Sequence, residues 1–255
     1  MRESNMFKDC IVLVSGAASG IGFEIARQFI EEGAIVIGAD IDASALRDAS
    51  EVLGDRFNGR LCDIGDIGQL ERLCEQVTCD FDKLDILVNN AGLTPWAGPE
   101  ELDVDVIDRC LAVNVRAPML LVKHFAKLMR NSTNPSILNI SSIGAYIDTP
   151  NEIVYGVSKA AIDKYTRTLA RNLPGIRANT IFPGVIQTPV VEKIRGKEGA
   201  AAFAETAGKM APVGRIGVPA DIANCVLFLS SQKATYINGA SIVIDGGISR
   251  AMGWM

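Results

Sequence analysis

The chain has 255 residues, of which 48% are hydrophobic and 22% are charged, and its formal net charge is −5. No apolar run reaches the roughly 18 residues that a membrane helix requires, and the lysines and arginines are scattered, which argues against a nucleic-acid surface. The composition therefore predicts one globular domain spanning 1–255, without a membrane or nucleic-acid partner.

The N-terminus and the cysteines bear on location. Residues 1–10 carry four charged side chains and lack the apolar core of a secretory signal, so the expected location is cytoplasmic. The six cysteines contain no C-x-x-C pair and are expected to be reduced. His124 is the single histidine, so no metal site is predicted and a solvated side chain on a helix is expected. Ser/His/Asp catalysis is excluded unless His124 itself serves.

Short apolar runs alternate with helical patterns along the whole chain. This alternation predicts right-handed βαβ crossovers and a Rossmann-type α/β fold, in which helices cover both faces of a doubly wound parallel sheet. Buried strands are predicted at 11–14, 34–39, 86–88, 137–140, 178–182 and 241–244. Helices are predicted at 21–32, 43–53, 67–79, 104–129, 153–173 and 220–229.

The first strand runs into a glycine-rich turn and then a helix. Gly16, Gly20 and Gly22 have the spacing G-x-x-x-G-x-G, which suits a tight turn, the close approach of a pyrophosphate and a helix N-terminus aimed at its charge. A glycine-rich turn without a ligand is the alternative. The cofactor contacts predicted in this turn also include Ser15, Ser19 and Ile21.

Asp40 ends the second strand, where a carboxylate would meet the ribose hydroxyls of an adenosine. The same charge would repel a 2′-phosphate, and the neighbouring Ile41 supplies no compensating cation. Arg47 is the nearest cation, a turn into the next helix. Asp40 therefore predicts NAD as the cofactor. The alternative is an acid near a helix N-terminus, although Asp42 is the better capping residue.

Polar residues and turns also follow the later strands. Asp63, next to Ile64, either accepts from an adenine amino group or caps the helix that begins near Asp66. Asn114 lies within a helical pattern, where asparagine is mildly unfavourable and is explained by a function or by exposure. The remaining predicted cofactor contacts are Ile41 and Ile64 beside the two acids, Asn90, Ala91 and Gly92 after the fourth strand, and Pro183, Gly184, Val185 and Thr188 after the sixth.

Tyr155 and Lys159 are four residues apart on a predicted helix, so they lie one turn apart on one face. A nearby ammonium favours phenolate and is expected to lower the tyrosine pKa from about 10. Ser142 lies upstream across a turn-rich segment. Taken alone, the Tyr–Lys spacing is common by chance, and an ordinary exposed pair is the alternative.

These motifs, in this order, resemble the short-chain dehydrogenase/reductase family over nearly the whole chain. Residues 212–223 and 242–247 are similar to the family's closing helix and last strand. The resemblance implies a seven-stranded sheet of order 3-2-1-4-5-6-7, a nicotinamide cofactor, reversible oxidation of an alcohol and a homotetramer. Its interface would include the helices at 104–129 and 153–173. The resemblance also implies that the substrate-binding flap, here 189–210, and the C-terminal tail, here 248–255, vary most.

The resemblance also implies individual roles. Tyr155 would be the acid/base, Lys159 would lower its pKa and hold the nicotinamide ribose, Ser142 would orient the substrate oxygen and Asn114 would support a relay water. The predicted function is NAD-dependent interconversion of a small secondary alcohol and a ketone. One alternative is a 3-oxoacyl-thioester (acyl carrier protein) reductase, and another is a catalytically silent dinucleotide-binding scaffold. Leu93, Thr94, Trp96 and Tyr146 are expected near the pocket wall.

Overall fold

The computed structural model of the chain describes residues 5–251, apart from the side chains of 190 and 192–195. Residues 1–4 and 252–255, the ends of the predicted domain and tail, lie outside the described residues. Seven parallel strands form one sheet: β1 (Ile11–Ser15), β2 (Ile35–Asp40), β3 (Phe57–Leu61), β4 (Ile86–Asn89), β5 (Ser136–Ile140), β6 (Arg177–Pro183) and β7 (Ser241–Ile244). Their order, β3-β2-β1-β4-β5-β6-β7, confirms the predicted topology.

Helices pack on both faces of this sheet. They are α1 (Gly20–Glu31), α2 (Ala43–Leu53), α3 (Ile67–Asp80), α4 (Val104–Leu111), α5 (Ala117–Met129), α6 (Ile153–Asn172), α7 (Pro189–Met210), α8 (Pro219–Ser230) and α9 (Ile248–Ala251). Successive side chains of β1 point to opposite faces, so Val12 and Val14 pack against α1 and α8, while Leu13 packs on the side of α3, α5 and α6. The core is thus two apolar layers separated by the sheet.

Two predicted elements differ from the structure. The segment 241–244 was expected to be a buried strand, but β7 alternates between exposed and half-buried residues because it pairs only with β6 within the described chain. The helix expected at 104–129 is interrupted by a π-helical turn at Ala112–Arg116, where the Ala117 N–H bonds to the Ala112 carbonyl. The 3.6-residue periodicity of a sequence pattern cannot reveal a π-helical turn, because such a turn adds only one residue to a hydrogen-bonded ring.

The histidine prediction also needs correction. His124 is partly buried on α5, and its Nε2 atom is shielded from solvent without a hydrogen-bond partner. The six cysteines are free thiols, as expected. Within residues 5–251, no helix combines the length and apolar character needed to cross a bilayer.

The predicted flap coincides with α7, which is kinked at Gly196. Gly196 has a φ of 69°, in the left-handed region that favours glycine, so the helix consists of two pieces. Ala207 and Met210, near the end of the second piece, pack in a small apolar cluster with Val185 and Ile143 from the loops after β6 and β5. The flap is thereby anchored beside the loops that carry predicted site residues.

Candidate active site

The glycine-rich turn after β1 forms a cradle that side chains would fill. A Cβ on Gly22 would lie 1.9 Å from the Gly16 carbonyl oxygen, and a Cβ on Gly16 would lie 2.9 Å from the Ala91 Cα. Ser19 precedes α1 but makes no side-chain capping bond. The first N–H groups of α1 therefore receive no cap from this serine, and such groups bind phosphate well. The cradle fits the pyrophosphate of a dinucleotide.

Replacing Gly22 by alanine should remove this fit. The added methyl group would overlap the Gly16 carbonyl, so we expect a loss of about 1–3 kcal/mol in the free energy of unfolding together with weakened dinucleotide binding. Urea unfolding and fluorescence titration with NADH measure the two effects. Gly68→Ala is the matched control, because Gly68 also lies in the first turn of a helix but has ordinary contacts of 3.5 Å. Equal changes in unfolding free energy and in NADH binding for the two variants would contradict the role of Gly22 in the cradle.

Asp40 lies at the end of β2 beside the cradle. Its carboxylate accepts hydrogen bonds from the Ala18 N–H at 2.9 Å and the Asp42 N–H at 3.0 Å. Asp42 caps α2, accepting from two backbone N–H groups of its first turn, as the sequence predicted. Asp40 therefore does not serve as the helix cap. The adjacent Ile41 is 59% exposed at the same edge, and Arg47 lines a cavity of about 460 Å³ between α2 and β3 that no predicted cofactor contact lines.

The capping alternative for Asp63 is wrong. Asp66 caps α3 by accepting from the Gln69 N–H at 2.8 Å. Asp63 instead accepts from the Gly65 N–H at 2.9 Å and forms an ion pair with Arg109 at 2.8 Å, and Ile64 is buried next to it. Asp63 thus stands at the carboxyl end of β3 as part of a fixed turn, which leaves adenine recognition as a proposal.

Asn90, directly after β4, binds the protein itself. Asn90 donates from its amide nitrogen to the carbonyls of Ser15 and Gly16, both at 3.0 Å. The Ser15 hydroxyl accepts from the N–H groups of Asn90 and Ala91, both at 3.1 Å. These bonds join the ends of β1 and β4. A ligand at this edge would therefore meet the backbone of 90–92 rather than the Asn90 amide.

Asn114 is buried in the π-helical turn, so the exposure alternative is wrong. Its side chain accepts from the Leu93 N–H at 2.8 Å and donates to the Leu93 carbonyl at 2.9 Å. It also donates to the Ser158 hydroxyl at 2.9 Å. The turn between α4 and α5 is thereby connected both to the loop after β4 and to α6, immediately beside the Tyr155–Lys159 pair.

Ser142 and Tyr155 lie together above the end of β5. Ser142 caps a short 3₁₀ turn, accepting from the Gly144 N–H at 3.1 Å. Burial raises the pKa of the Tyr155 phenol above its ordinary value, although its hydrogen bond with Ser142 lowers it. The expectation that Lys159 lowers this pKa is not met by the protein groups alone, since the Lys159 Nζ is 5.6 Å from the ring centroid and the phenol is largely desolvated.

Lys159 is buried beneath the loop after β4. Its ammonium donates to the Ile140 carbonyl at 2.9 Å. A Cβ on Gly92 would lie 3.2 Å from the Lys159 Nζ, so glycine lets the backbone pass directly over the ammonium. Burial lowers the pKa of Lys159 to about 8. The lysine thus holds its position at the strand end with no acidic partner among the described ion pairs.

The loop after β6 completes the site. A Cβ on Gly184 would lie 2.6 Å from the Asp245 Cβ, which explains the glycine after Pro183 by packing alone. Thr188 immediately precedes α7 and lies next to the cradle, because a Cβ on Gly20 would be 3.4 Å from its methyl group. Val185 is held by the bond that its carbonyl accepts from the Gly217 N–H at 2.9 Å. The structure therefore brings Thr188 to the glycine-rich turn.

Two site residues received no role from the sequence. Ser158 is fully buried, accepts from Asn114 and donates to the Tyr155 carbonyl at 2.7 Å, so it joins two predicted catalytic residues. The sequence signal that could have revealed this role is a serine placed directly before Lys159 on an apolar stretch of helix. Thr94 forms a hydrogen bond with the Tyr155 phenol that lowers its pKa. Sequence position had placed Thr94 only at the pocket wall.

The chain is similar to known proteins over most of its length. The family model described as enoyl-(acyl carrier protein) reductase matches residues 16–249. The chain is 34% identical to the 3-oxoacyl-[acyl-carrier-protein] reductase of Thermotoga maritima over 93% of this chain and 97% of that protein. It is 35% identical to the D-threitol dehydrogenase of Mycolicibacterium smegmatis over 93% and 92% of the two chains. The solved structure of Thermoplasma acidophilum aldohexose dehydrogenase superimposes with a TM-score of 0.88 at 31% identity, covering 95% of both chains.

Proposed function

The chain belongs to the short-chain dehydrogenase/reductase family and is an oxidoreductase acting on secondary alcohols and ketones; we propose that its cofactor is NAD and that Tyr155 is its general acid/base. The observation that carries the proposal is the convergence of Ser142, Tyr155 and Lys159 at the strand ends next to the glycine cradle. A positioned phenol can exchange the hydroxyl proton while the adjacent carbon exchanges hydride with the nicotinamide.

Different residues of the chain would bind different parts of the cofactor and the substrate. The cradle and α1 would bind the pyrophosphate, Asp40 the adenosine ribose and Asp63 the adenine amino group. Thr188 and the 183–185 loop would hold the nicotinamide end. Ser142 would orient the substrate oxygen, and Asn114 would support a relay water. Burial raises the pKa of the phenol and so disfavours phenolate. Tyr155 would therefore need a positive charge nearby to reach the phenolate state, and an oxidised nicotinamide would supply that charge.

The direct test is an absorbance assay at the wavelength of reduced nicotinamide, with NAD and a panel of secondary alcohols. Turnover of at least one secondary alcohol is expected. A protein that binds NADH but oxidises none of the panel would support the silent scaffold instead. The names of two relatives, a D-threitol dehydrogenase and an aldohexose dehydrogenase, support the choice of hydroxyl-bearing substrates.

Cofactor choice is the next prediction. The Asp40 carboxylate is fixed by two backbone hydrogen bonds at the predicted ribose position, and a like charge placed there costs several kcal/mol. We therefore expect kcat/KM with NADP to be lower than with NAD by about 100-fold or more. Steady-state kinetics with both cofactors and one alcohol measure the ratio. Equal or better use of NADP would contradict the role of Asp40.

Reduction of a 3-oxoacyl thioester is the second candidate. It is favoured by the names of the family model and of the Thermotoga maritima relative. That activity usually calls for NADPH and a basic residue near 41, where this chain has Ile41. The cofactor ratio above separates the two candidates, since strong preference for NADP would favour the thioester reductase.

We also propose a cytoplasmic homotetramer in which α4, α5 and α6 contribute to one interface. Exposed apolar side chains on these three helices support it, because an interface would remove them from water. They are Val104, Val106, Met119, Ile153 and Val157. The half-exposed β7 offers a second apolar surface through Val243.

A further inference from the structure

The two oxygens of the Asp63 carboxylate have different surroundings. Oδ1 accepts from the Gly65 N–H at 2.9 Å and from the Arg109 Nη2 at 2.8 Å. Among the residues that the structure describes, none donates a hydrogen bond to the other oxygen, Oδ2. The Asp63 side chain is 21% exposed, so part of it is open to a ligand. The protein thus fixes one oxygen of this carboxylate and leaves the other as an acceptor.

This carboxylate lies beside the proposed ribose residue. The Cys62 N–H donates to the Asp40 carbonyl at 2.8 Å, so the chain that leads into Asp63 leaves the sheet next to the end of β2. The Asp40 carboxylate in turn accepts from the Ala18 N–H of the glycine-rich turn. A base attached to a ribose at Asp40 would therefore be near the turn after β3.

Arg109 crosses that turn from α4. A Cβ on Gly65 would lie 2.2 Å from the Arg109 Nη1, so the absence of a side chain at Gly65 lets the guanidinium pass over the backbone. Arg116, from the π-helical turn, donates to the Gly65 carbonyl at 2.6 Å and holds the same turn. Of these two arginines, Arg109 is the one that binds the acid. The direction of the Asp63 carboxylate therefore depends on Arg109, whereas the backbone of the turn has a second support.

We propose that Arg109 is a positioning residue that directs the free Asp63 oxygen at the exocyclic amino group of adenine, so that the chain selects adenine dinucleotides over dinucleotides of a 6-oxo purine. This inference rests on the proposed binding of a dinucleotide. An ionised carboxylate accepts hydrogen bonds and cannot donate them. It therefore binds an amino group, whereas the carbonyl oxygen at the same position of hypoxanthine would leave two acceptors facing each other.

The test compares NADH with reduced nicotinamide hypoxanthine dinucleotide, which has a 6-oxo purine in place of adenine. Both are fluorescent, so titration measures the two dissociation constants without turnover. The wild type is expected to bind NADH about 10- to 100-fold more tightly. In Arg109→Gln this preference should fall to about 3-fold or less. With NAD and an alcohol, KM for NAD should rise while kcat stays within about 2-fold of the wild-type value. A purely structural loss would weaken both dinucleotides equally and leave the preference unchanged.

Arg60→Gln is the matched control. Arg60 forms an ion pair with Asp80 at 2.6 Å, and its side chain is 28% exposed against 39% for Arg109, but its partner lies at the end of α3. This variant should keep the wild-type preference. Equal affinities in the wild type, or an unchanged preference in Arg109→Gln, would overturn the inference, and turnover with NAD would leave the proposed function intact. A wild type that binds neither dinucleotide would overturn both.

Arg109→Lys separates positioning from folding. Lysine keeps the positive charge and a donor, so a preference of about 5-fold or more for NADH should remain. If Arg109→Gln binds neither dinucleotide, the lysine variant decides: binding with the preference supports the inference, and binding without it overturns the inference. Loss of both dinucleotides in both variants would also overturn it, because a residue that positions one base contact should not abolish all binding.

Discussion

The Tyr155→Phe variant is expected to lose about 10³-fold in kcat while keeping its affinity for NADH. The phenol hydroxyl is the group proposed to exchange a proton next to Ser142, and phenylalanine keeps the ring in the same space. Removal of the hydroxyl would therefore eliminate the proposed proton exchange without changing the glycine cradle or Asp40. Steady-state kinetics on a substrate of the wild-type enzyme measure the first effect, and fluorescence titration with NADH measures the second.

Tyr165→Phe provides the control for this variant. Tyr165 is on the same helix, and burial raises its pKa to about 12, but it packs in the core layer away from the site. Its loss of a hydroxyl should leave kcat within about 2-fold of the wild-type value. Full turnover in Tyr155→Phe would remove Tyr155 from its role, and equal losses in both variants would point to damage of α6 instead.

The Lys159→Met variant is expected to be inactive and yet more stable than the wild type. Burial lowers the pKa of Lys159 to about 8, so keeping the ammonium charged at pH 7 costs about 3 kcal/mol. Methionine removes that cost but leaves the Ile140 carbonyl without its donor, a loss of about 1 kcal/mol. We expect a net gain of about 2 kcal/mol in unfolding free energy at pH 7, and a fall in kcat of about 100-fold or more.

The pH dependence of this gain tests its cause. The folded-state pKa of Lys159 lies below the ordinary value of 10.5, so the unfolded chain binds more protons between about pH 8 and 10.5, and wild-type stability contains a term that rises with pH there. The advantage of Lys159→Met should thus be full below about pH 8, vanish near about pH 10 and become a loss of about 1 kcal/mol above pH 10.5, where only the missing hydrogen bond remains. Urea unfolding at pH 7 and 10 measures it. Lys164→Met, an exposed change on the same helix, should shift stability by less than about 0.5 kcal/mol; a destabilised Lys159→Met would contradict the burial argument.

Features set by short-range spacing could be predicted from the sequence. The glycine cradle and the Asp42 cap depend on residues near one another, and the parallel sheet follows from the regular alternation of elements. The order of the strands was implied by the family resemblance and not by this alternation. The role of Asp63 was left open between adenine recognition and capping of α3, because an acid just before a helix suits either role. The structure assigns the cap to Asp66.

Features set by tertiary contacts could not be predicted. Asn114 is buried because its partner Leu93 lies 21 residues away across the π-helical turn, and helical periodicity contains no information on such a pairing. The direction of the Tyr155 pKa shift depends on how much solvent surrounds the phenol. From spacing alone, the nearby ammonium was the only visible influence, so the sequence predicted a lowered pKa where burial raises it.

The hydrogen bond from the Ala18 N–H to Asp40 links two properties of the chain that mutation would otherwise vary independently. A substitution that removes this carboxylate also removes one of the bonds between the glycine-rich turn and β2, although the Ala39 carbonyl still accepts from the Gly16 and Ala17 N–H groups. Under the proposed role of Asp40, a change that admits a 2′-phosphate would therefore also loosen the Ala18 end of the turn that binds the pyrophosphate. Cofactor preference and the order of this turn are coupled through one side chain.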